Sequence, residues 1–284
     1  MDTAVPTAKL TPGSVALLGL PWDAMSTHMR GPAEAPSAIR EALHGGSANL
    51  WSERGRDLGE HPRFVDMGDV KLPEDVAALD AISEAVQSVL SRGAKPLVLG
   101  GDHAVTLGVL RAVAQRWSPL TVLHVDAHPD LYASYEGNPF SHACPFARAL
   151  EEGLVSRLVQ VGIRTLNGHQ REQVERFGVE VIEAHAFDPN EQLGLVGPVY
   201  VSIDLDGLDP AFAPGVSHHE PGGLSTRDVL RLLNQLPKSV VGADVVELNP
   251  RRDLHGMTAM VAAKLAKELA CRLLDERDPL SSAP

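Results

Sequence analysis

The sequence predicts an α/β fold built around a parallel sheet. Short apolar runs alternate along the chain with longer amphipathic stretches, which is the pattern of repeated strand–helix–strand units. No internal repeat, low-complexity tract or linker rich in glycine, serine or proline interrupts this alternation. One domain spanning residues 1–284 is therefore the simplest interpretation, because α/β folds often hold this length around one sheet.

The alternation places eight strands and seven helices. Each predicted strand is a short apolar run, and together they cover residues 14–20, 63–66, 96–99, 120–125, 158–163, 179–182, 199–203 and 240–246. Helices are expected in the amphipathic stretches near residues 34–44, 75–93, 104–117, 144–153, 169–177, 225–236 and 257–275. In the last helix, apolar residues at helical spacing predict a face packed on the core. They are Met257, Met260, Val261, Leu265, Leu269 and Leu273.

Composition is typical of a soluble enzyme. Hydrophobic residues make up 44% of the chain and charged residues 22%, enough for a large core and a solvated surface. Acidic residues number 37 against 25 basic ones, which gives a formal charge of -12. No basic run or mixture of basic and aromatic residues appears, so the sequence argues against nucleic acid as a partner.

Cysteine usage and the apolar runs bear on location. Cys144 and Cys271 are the only cysteines and lie far apart without metal-type spacing, which favours a reducing compartment. No apolar run approaches the ~20 residues that span a bilayer, so no membrane partner is expected. Residues 1–13 lack the layout of a signal peptide. These observations predict a cytoplasmic protein.

Carboxylates and imidazoles follow three predicted strands directly. In an extended backbone, side chains two residues apart point to the same side, so alternating residues after a strand can converge on one point. A turn role after a strand would explain one such segment, but not all three together. The residues are His103, then Asp126, His128 and Asp130, then Asp204 and Asp206.

This residue set predicts metal binding. Four carboxylates and two imidazoles are too many for one tetrahedral ion and suit two hard-to-borderline octahedral ions better than a structural zinc. His103, Asp126, Asp204 and Glu247 each follow a different predicted strand. Because the ligand crevice of an open parallel sheet lies beyond the carboxyl ends of its strands, we expect these segments to meet at one rim.

The ordered motifs resemble those of the ureohydrolase family of arginases and agmatinases. They are GGDH at 100–103, DAHPD at 126–130, SH at 141–142, SIDLDGLDP at 202–210 and VELNP at 246–250. The likeness spans essentially the whole chain and is greatest to plant-type arginases, through residues 140–148, 158–164, 209–218 and 256–265. It implies a three-layer α/β/α sandwich with an eight-stranded parallel sheet, two Mn²⁺ ions per chain and a homo-oligomer, commonly a trimer or hexamer in this family.

The resemblance also implies a division of the metal ligands. One ion would take His103 and Asp130, the other His128 and Asp206, and Asp126 and Asp204 would bridge both. Bridging carboxylates suit such a site because two cations about 3.5–4 Å apart repel each other. A water shared by the ions would have a lowered pKa and supply hydroxide near neutral pH.

The substrate implied by the resemblance is a small guanidino compound, and three residues are predicted to be catalytic. A guanidinium is planar and permanently charged, so a carboxylate is needed to hold it, and Glu247 is the candidate. His142 is expected to bind substrate as well and to give a proton to the departing amine. Asp130 is the third residue predicted to be catalytic. Outside the family pattern, Glu247 would be a surface residue ending a strand and His142 a polar loop residue.

The choice of guanidino substrate stays open. The plant-type likeness favours L-arginine, giving L-ornithine and urea, with agmatine or 4-guanidinobutyrate as alternatives. Animal arginases carry an asparagine at the position of Tyr132, and Arg30 is the one candidate here for holding a substrate carboxylate. The pair His218 and His219 is expected to line or to cover the entrance. An inactive relative that keeps the fold would lose metal ligands, and a single-zinc amide hydrolase would not need the second ligand cluster.

Overall fold

The computed structural model of the protein describes residues 9–274. Its centre is one eight-stranded sheet in which every described pair of neighbours is parallel. The strands are β1 (Val15–Gly19), β2 (Phe64–Asp69), β3 (Lys95–Leu99), β4 (Thr121–Val125), β5 (Arg157–Ile163), β6 (Glu180–Glu183), β7 (Val199–Asp204) and β8 (Val240–Val246). Their order across the sheet is β2-β1-β3-β8-β7-β4-β5-β6.

Helices cover both faces of the sheet. They are α1 (Ala35–His44), α2 (Ala78–Leu90), α3 (Val105–Arg116), α4 (Pro145–Glu151), α5 (Gly168–Phe177), α6 (Thr226–Gln235) and α7 (Met257–Leu274). Apolar residues of α1, α6 and α7 form one buried cluster with the sheet. Residues of α2, α3, α4 and α5 pack against the other face. The predicted α/β/α sandwich with an eight-stranded parallel sheet is confirmed.

The central strands are apolar on both faces because helices cover both faces. β1, β3, β4, β7 and β8 are buried along their whole length, as expected for a parallel sheet. The predicted elements match with small changes at their ends. β2 runs three residues further than expected because it follows β1 through an irregularity in the register before residue 69. Residue 275 of the last predicted helix lies outside the described residues.

The first turn of α7 differs from the prediction. Met257 and Met260 are 54% and 36% exposed, although the helical spacing placed them on the core face. Small residues, Thr258, Ala259 and Ala262, are buried there instead, and they let this end of α7 lie close to its neighbours. The predicted apolar face is buried only further along the helix. Between residues 9 and 274, no helix combines the length and apolar character needed to cross a membrane.

Candidate metal centre and substrate pocket

The residues of the predicted site follow four adjacent central strands and lie at one edge of the sheet. β3, β8, β7 and β4 are neighbours in that order, and each is followed directly by polar residues. His103 lies between β3 and α3, and Glu247 follows β8. Asp204 ends β7, and Asp126 follows β4. All of these side chains are buried, so the chain places four charged or titratable segments together at the carboxyl ends of its strands.

The His103 imidazole faces three carboxylates through Nδ1. This atom lies 3.2 Å from Asp126 Oδ2, 3.1 Å from Asp130 Oδ2 and 3.1 Å from Asp204 Oδ2. It is buried, and no neighbour is oriented to hydrogen-bond with it. An ion with ligand bonds of roughly 2.0–2.2 Å holds adjacent ligand atoms roughly 3 Å apart. The unpartnered nitrogen and the three oxygens therefore fit a metal ion.

A second group of ligand atoms surrounds the His128 imidazole. Its Nδ1 lies 3.1 Å from Asp206 Oδ2 and 3.4 Å from Asp126 Oδ1, and the three side chains together could hold an ion. Asp126 thus presents one carboxylate oxygen to His103 and the other to His128. His124 also lies beside Asp126, with its Nε2 at 2.7 Å from Oδ2. The structure brings all six predicted ligands together around Asp126.

The electrostatics of the cluster favour bound cations. Burial and the nearby Asp126 raise the pKa of Asp130 to about 6. Burial, Asp206 and Asp126 raise the pKa of Asp204 well above its usual range. Burial lowers the pKa of His128, but Asp206 and Asp126 outweigh it and raise that pKa to about 12. Carboxylates crowded in a buried site cannot all ionise without compensating positive charge, and divalent cations would supply that charge.

Unusual backbone geometry positions the site. Asp130 and Glu247 have φ angles of 50° and 64°, a region that residues other than glycine rarely adopt. Such conformations persist where the surrounding structure enforces them, often at functional sites. Gly207 allows a close approach of two loops: a Cβ there would lie 2.8 Å from the backbone nitrogen of Asp126. The Asp126 and Asp206 loops can meet because residue 207 has no side chain.

His142 and Glu247 form a hydrogen-bonded pair beside the cluster. His142 Nδ1 donates to Glu247 Oε1 over 2.8 Å, and the same oxygen accepts a bond from the backbone N–H of His103. Thr27 holds the other side of the ring, with its Oγ1 2.9 Å from Nε2. Burial lowers the pKa of His142, but the Glu247 carboxylate outweighs this and raises it to about 9. His142 is therefore largely protonated near neutral pH in this environment.

A pocket opens above these groups. His128, Asp130, Asp204 and Asp206 line it together with His142 and Glu247. His218 lines it too, with its ring centroid 5.3 Å from that of His142. His219 instead is exposed, and its ring nitrogen lies 2.7 Å from the carbonyl oxygen of Pro214. Of the two histidines in this loop, His218 alone joins the lining described for the pocket.

The remaining wall of the pocket is uncharged and mostly polar. It includes Thr165, Tyr132 and Gln170. The Gln170 side chain is buried, and its Oε1 has no hydrogen-bond partner. Neither arginine nor lysine is among the described lining residues. Arg30, the candidate for holding a substrate carboxylate, donates two hydrogen bonds to Asp23 Oδ1 instead.

Sequence reasoning missed several residues of this region. Thr27, Thr165 and Gln170 lie in loops or at a helix start, where no pattern distinguished them. Ser202 and Asp244 could have been noticed, because each is a polar residue within an otherwise apolar strand. Asp102, beside His103, bonds to a neighbouring loop. Its carboxylate accepts bonds from the backbone nitrogens of Met25 and Ala104 and so anchors the loop that carries Thr27.

Known proteins share this sequence and fold over most of its length. The sequence profile of the Arginase family matches residues 13–271. "Arginase 1, mitochondrial" of Arabidopsis thaliana is 50% identical over 277 residues, covering 92% of this chain and 81% of that protein. The agmatinase of Bacillus subtilis (strain 168) is 34% identical over 261 residues, 89% of each chain. The solved structure of the arginase from Medicago truncatula matches with 45% identity and a TM-score of 0.84, over 92% of this chain and 87% of that one.

These similarities correct the expected location. The prediction of a cytoplasmic protein was wrong, because plant relatives at 48–50% identity are named as mitochondrial proteins. The prediction rested in part on cysteine usage. Cys144 and Cys271 are both free and buried, a state that fits any reducing compartment. Cysteine content therefore could not distinguish the cytoplasm from an organelle.

Proposed function

Because this chain belongs to the arginase family, whose members hydrolyse guanidino substrates to urea, we propose that it converts L-arginine to L-ornithine and urea. The observation that carries this proposal is the position of the His142–Glu247 pair beside the carboxylate cluster in one pocket. A guanidinium group needs a carboxylate to hold it and a nucleophile directed at its central carbon. The pocket offers both kinds of group side by side.

We infer that the cluster holds two Mn²⁺ ions. His103 and Asp130 would hold one and His128 and Asp206 the other, with Asp126 and Asp204 between them. The support is that Asp126 turns one oxygen toward each imidazole and that Nδ1 of His103 is buried without a partner. When bound, the two cations activate a water molecule as the nucleophile and stabilise the charge that develops during attack. Manganese is chosen over other divalent metals by family resemblance, since affinity order alone does not select it.

The protein's own side chains have separate tasks in this reaction. Glu247 binds the guanidinium nitrogens through charge-assisted hydrogen bonds. His142, whose ring is hydrogen-bonded to Glu247, gives a proton to the nitrogen that leaves with ornithine. Thr27 keeps that ring in place. Asp130 lines the same pocket, where its carboxylate would accept a hydrogen bond from the attacking water.

The polar residues that line the pocket indicate how the rest of the substrate could bind. Gln170 has an amide that can donate to a carboxylate and accept from an ammonium group, which suits the amino-acid end of arginine. The described lining contains no arginine or lysine, which disfavours 4-guanidinobutyrate, whose far end is only a carboxylate. Agmatine, which ends in an ammonium group, is the second candidate for the same reason.

We further propose one domain over residues 1–284, because all eight strands join one sheet, and a homo-oligomer by family resemblance. Convergence of the six ligands and the catalytic pair disfavours an inactive relative. Two separate imidazole groups likewise disfavour a single-zinc amide hydrolase.

Urea release by the Mn²⁺-loaded protein tests the proposed function. L-arginine, agmatine and 4-guanidinobutyrate are compared by kcat/KM, with Glu247→Gln as the matched inactive control. L-arginine is expected to give the highest value. Agmatine exceeding L-arginine by tenfold would make the protein an agmatinase, and no urea from any of the three would contradict the proposal.

A further inference from the structure

A row of buried polar side chains crosses the sheet behind the ligand cluster. Gln160 of β5, His124 of β4, Ser202 of β7 and Asp244 of β8 lie side by side in the strand register. Each is completely buried. Polar groups inside a sheet cost free energy unless hydrogen bonds compensate them. The partners of this row therefore indicate what it does.

Asp244 occupies one end of the row and accepts three hydrogen bonds. Its Oδ1 accepts from Ser202 Oγ over 2.6 Å. Its Oδ2 accepts from the Tyr200 hydroxyl over 2.7 Å and from Thr106 Oγ1 over 2.9 Å. An ionised carboxylate can only accept, so the hydroxyl hydrogen of Ser202 points to Asp244. The lone pairs of Ser202 Oγ are then left to accept a bond.

The group that can donate to Ser202 is the His103 ring. Its Nε2 lies 2.9 Å from Ser202 Oγ. A neutral imidazole carries one ring hydrogen, and a bond to Ser202 places that hydrogen on Nε2. Nδ1 then carries a free lone pair, and this is the atom that faces Asp126, Asp130 and Asp204. A histidine binds metal only through an unprotonated nitrogen.

We propose that Asp244 is a positioning residue that, through Ser202, holds His103 in the tautomer able to bind a metal ion. The proposal rests on the metal centre of the proposed function. It extends the site to a residue that reaches neither the pocket nor a metal ligand directly. The relay runs from Asp244 to Ser202 to His103 and fixes the direction of each hydrogen bond.

Replacing Asp244 by asparagine reverses this relay. Two donors, Tyr200 and Thr106, share one side of the carboxylate, so the asparagine oxygen stays there and its NH₂ group faces Ser202. The Ser202 hydroxyl must then accept from Asn and donate to His103 Nε2. That bond favours the tautomer with hydrogen on Nδ1, which cannot bind metal. Asp244→Asn keeps the shape of the side chain, so it changes the relay without opening a cavity.

Titration of the metal-free protein with Mn²⁺ tests the proposal. Asp244→Asn is expected to weaken binding of one of the two ions by about 10–100-fold, the usual effect of losing an outer-shell partner. Tyr200→Phe is the matched control, because it removes a donor to the same carboxylate but leaves the relay intact. It is expected to bind both ions as the wild type does. A wild type that binds fewer than two ions would contradict the proposed function rather than this inference.

Variants of Ser202 separate positioning from a purely structural role. Ser202→Ala is expected to show the same loss of affinity as Asp244→Asn, and Ser202→Thr to recover it. These variants also test the relay if Asp244→Asn fails to fold. Wild-type affinity for both ions in Asp244→Asn or Ser202→Ala would overturn the proposal. An equal loss in Tyr200→Phe would overturn it too.

Discussion

His142 Nδ1 lies 2.8 Å from Glu247 Oε1, so the proposed proton donor and the proposed guanidinium-binding carboxylate share a charge-assisted hydrogen bond. The bond explains why the pKa of His142 is raised despite burial. It also ties the two functions together. In the proposed reaction, a guanidinium bound to Glu247 would lie next to the His142 ring that gives the proton.

The pKa of His142 should depend on the charge of Glu247. Glu247→Gln removes the negative charge that favours the imidazolium, so the pKa is expected to fall from about 9 toward the ordinary value of 6.5. Proton NMR of the metal-free protein follows the His142 ring signals across pH. An unchanged pKa in the variant would show that another group sets the protonation of His142.

Loss of His142 should separate proton transfer from metal binding. His142→Ala is expected to retain both ions, because the ring lies against Glu247 and Thr27 rather than in the cluster. Its kcat should fall by about 10²–10⁴, the range for losing a general acid or base. Elemental analysis and kinetics on the same preparation decide the matter. Metal loss that accompanies the drop in kcat would assign His142 to the metal centre instead.

Gln170 should contribute to binding the amino-acid end of the substrate. Gln170→Ala is expected to raise KM for L-arginine by about tenfold, the lower end of the cost of losing one hydrogen bond to a charged group, with little change in kcat. The effect on agmatine should be smaller, because that substrate lacks the carboxylate. Gln173→Ala is the control: Gln173 is also a buried glutamine of α5, but it bonds to the Leu131 carbonyl and is not among the described lining residues. Equal effects of both substitutions on KM would assign Gln170 a structural role.

The close approach at Gly207 should be intolerant of a side chain. A Cβ there would meet the Asp126 backbone at 2.8 Å, and overpacking of this kind costs about 1–3 kcal/mol. Gly207→Ala is therefore expected to lower both the free energy of unfolding and the metal content. Gly46→Ala is the control, since a Cβ at that exposed position has nothing within 4 Å. Denaturant unfolding compares the two variants, and equal stability would contradict the packing argument.

Sequence periodicity was sufficient for the strands and helices because a parallel sheet covered on both faces requires apolar runs of strand length. The same rule placed His103, Asp126, Asp204 and Glu247 near one another, since each follows a strand. That rule could not predict which side chains contact one another. The link from Asp244 through Ser202 to His103 depends on strand register. β7 and β8 are neighbours although residues 205–239, including α6, separate them in the sequence.

Two other differences have physical causes. Helical spacing alone could not tell which side of α7 faces the core near Met257, because the small residues beside it pack more closely than methionine would. The sequence also could not predict which residues line the part of the pocket proposed for the amino-acid end of the substrate. Gln170 has no sequence pattern around it, and its significance lies in a buried oxygen without a partner, which only the folded structure reveals.

The number of Mn²⁺ ions bound per chain tests the central claim most directly, measured by elemental analysis of the wild type, Asp126→Ala and Asp102→Ala. Asp126 faces both imidazoles, whereas the Asp102 carboxylate accepts bonds from the neighbouring loop. We predict two ions per wild-type chain, loss of most metal and nearly all activity in Asp126→Ala, and a substantial fraction of both retained in Asp102→Ala. Full metal occupancy in Asp126→Ala, or no stably bound metal in the wild type, would contradict the account.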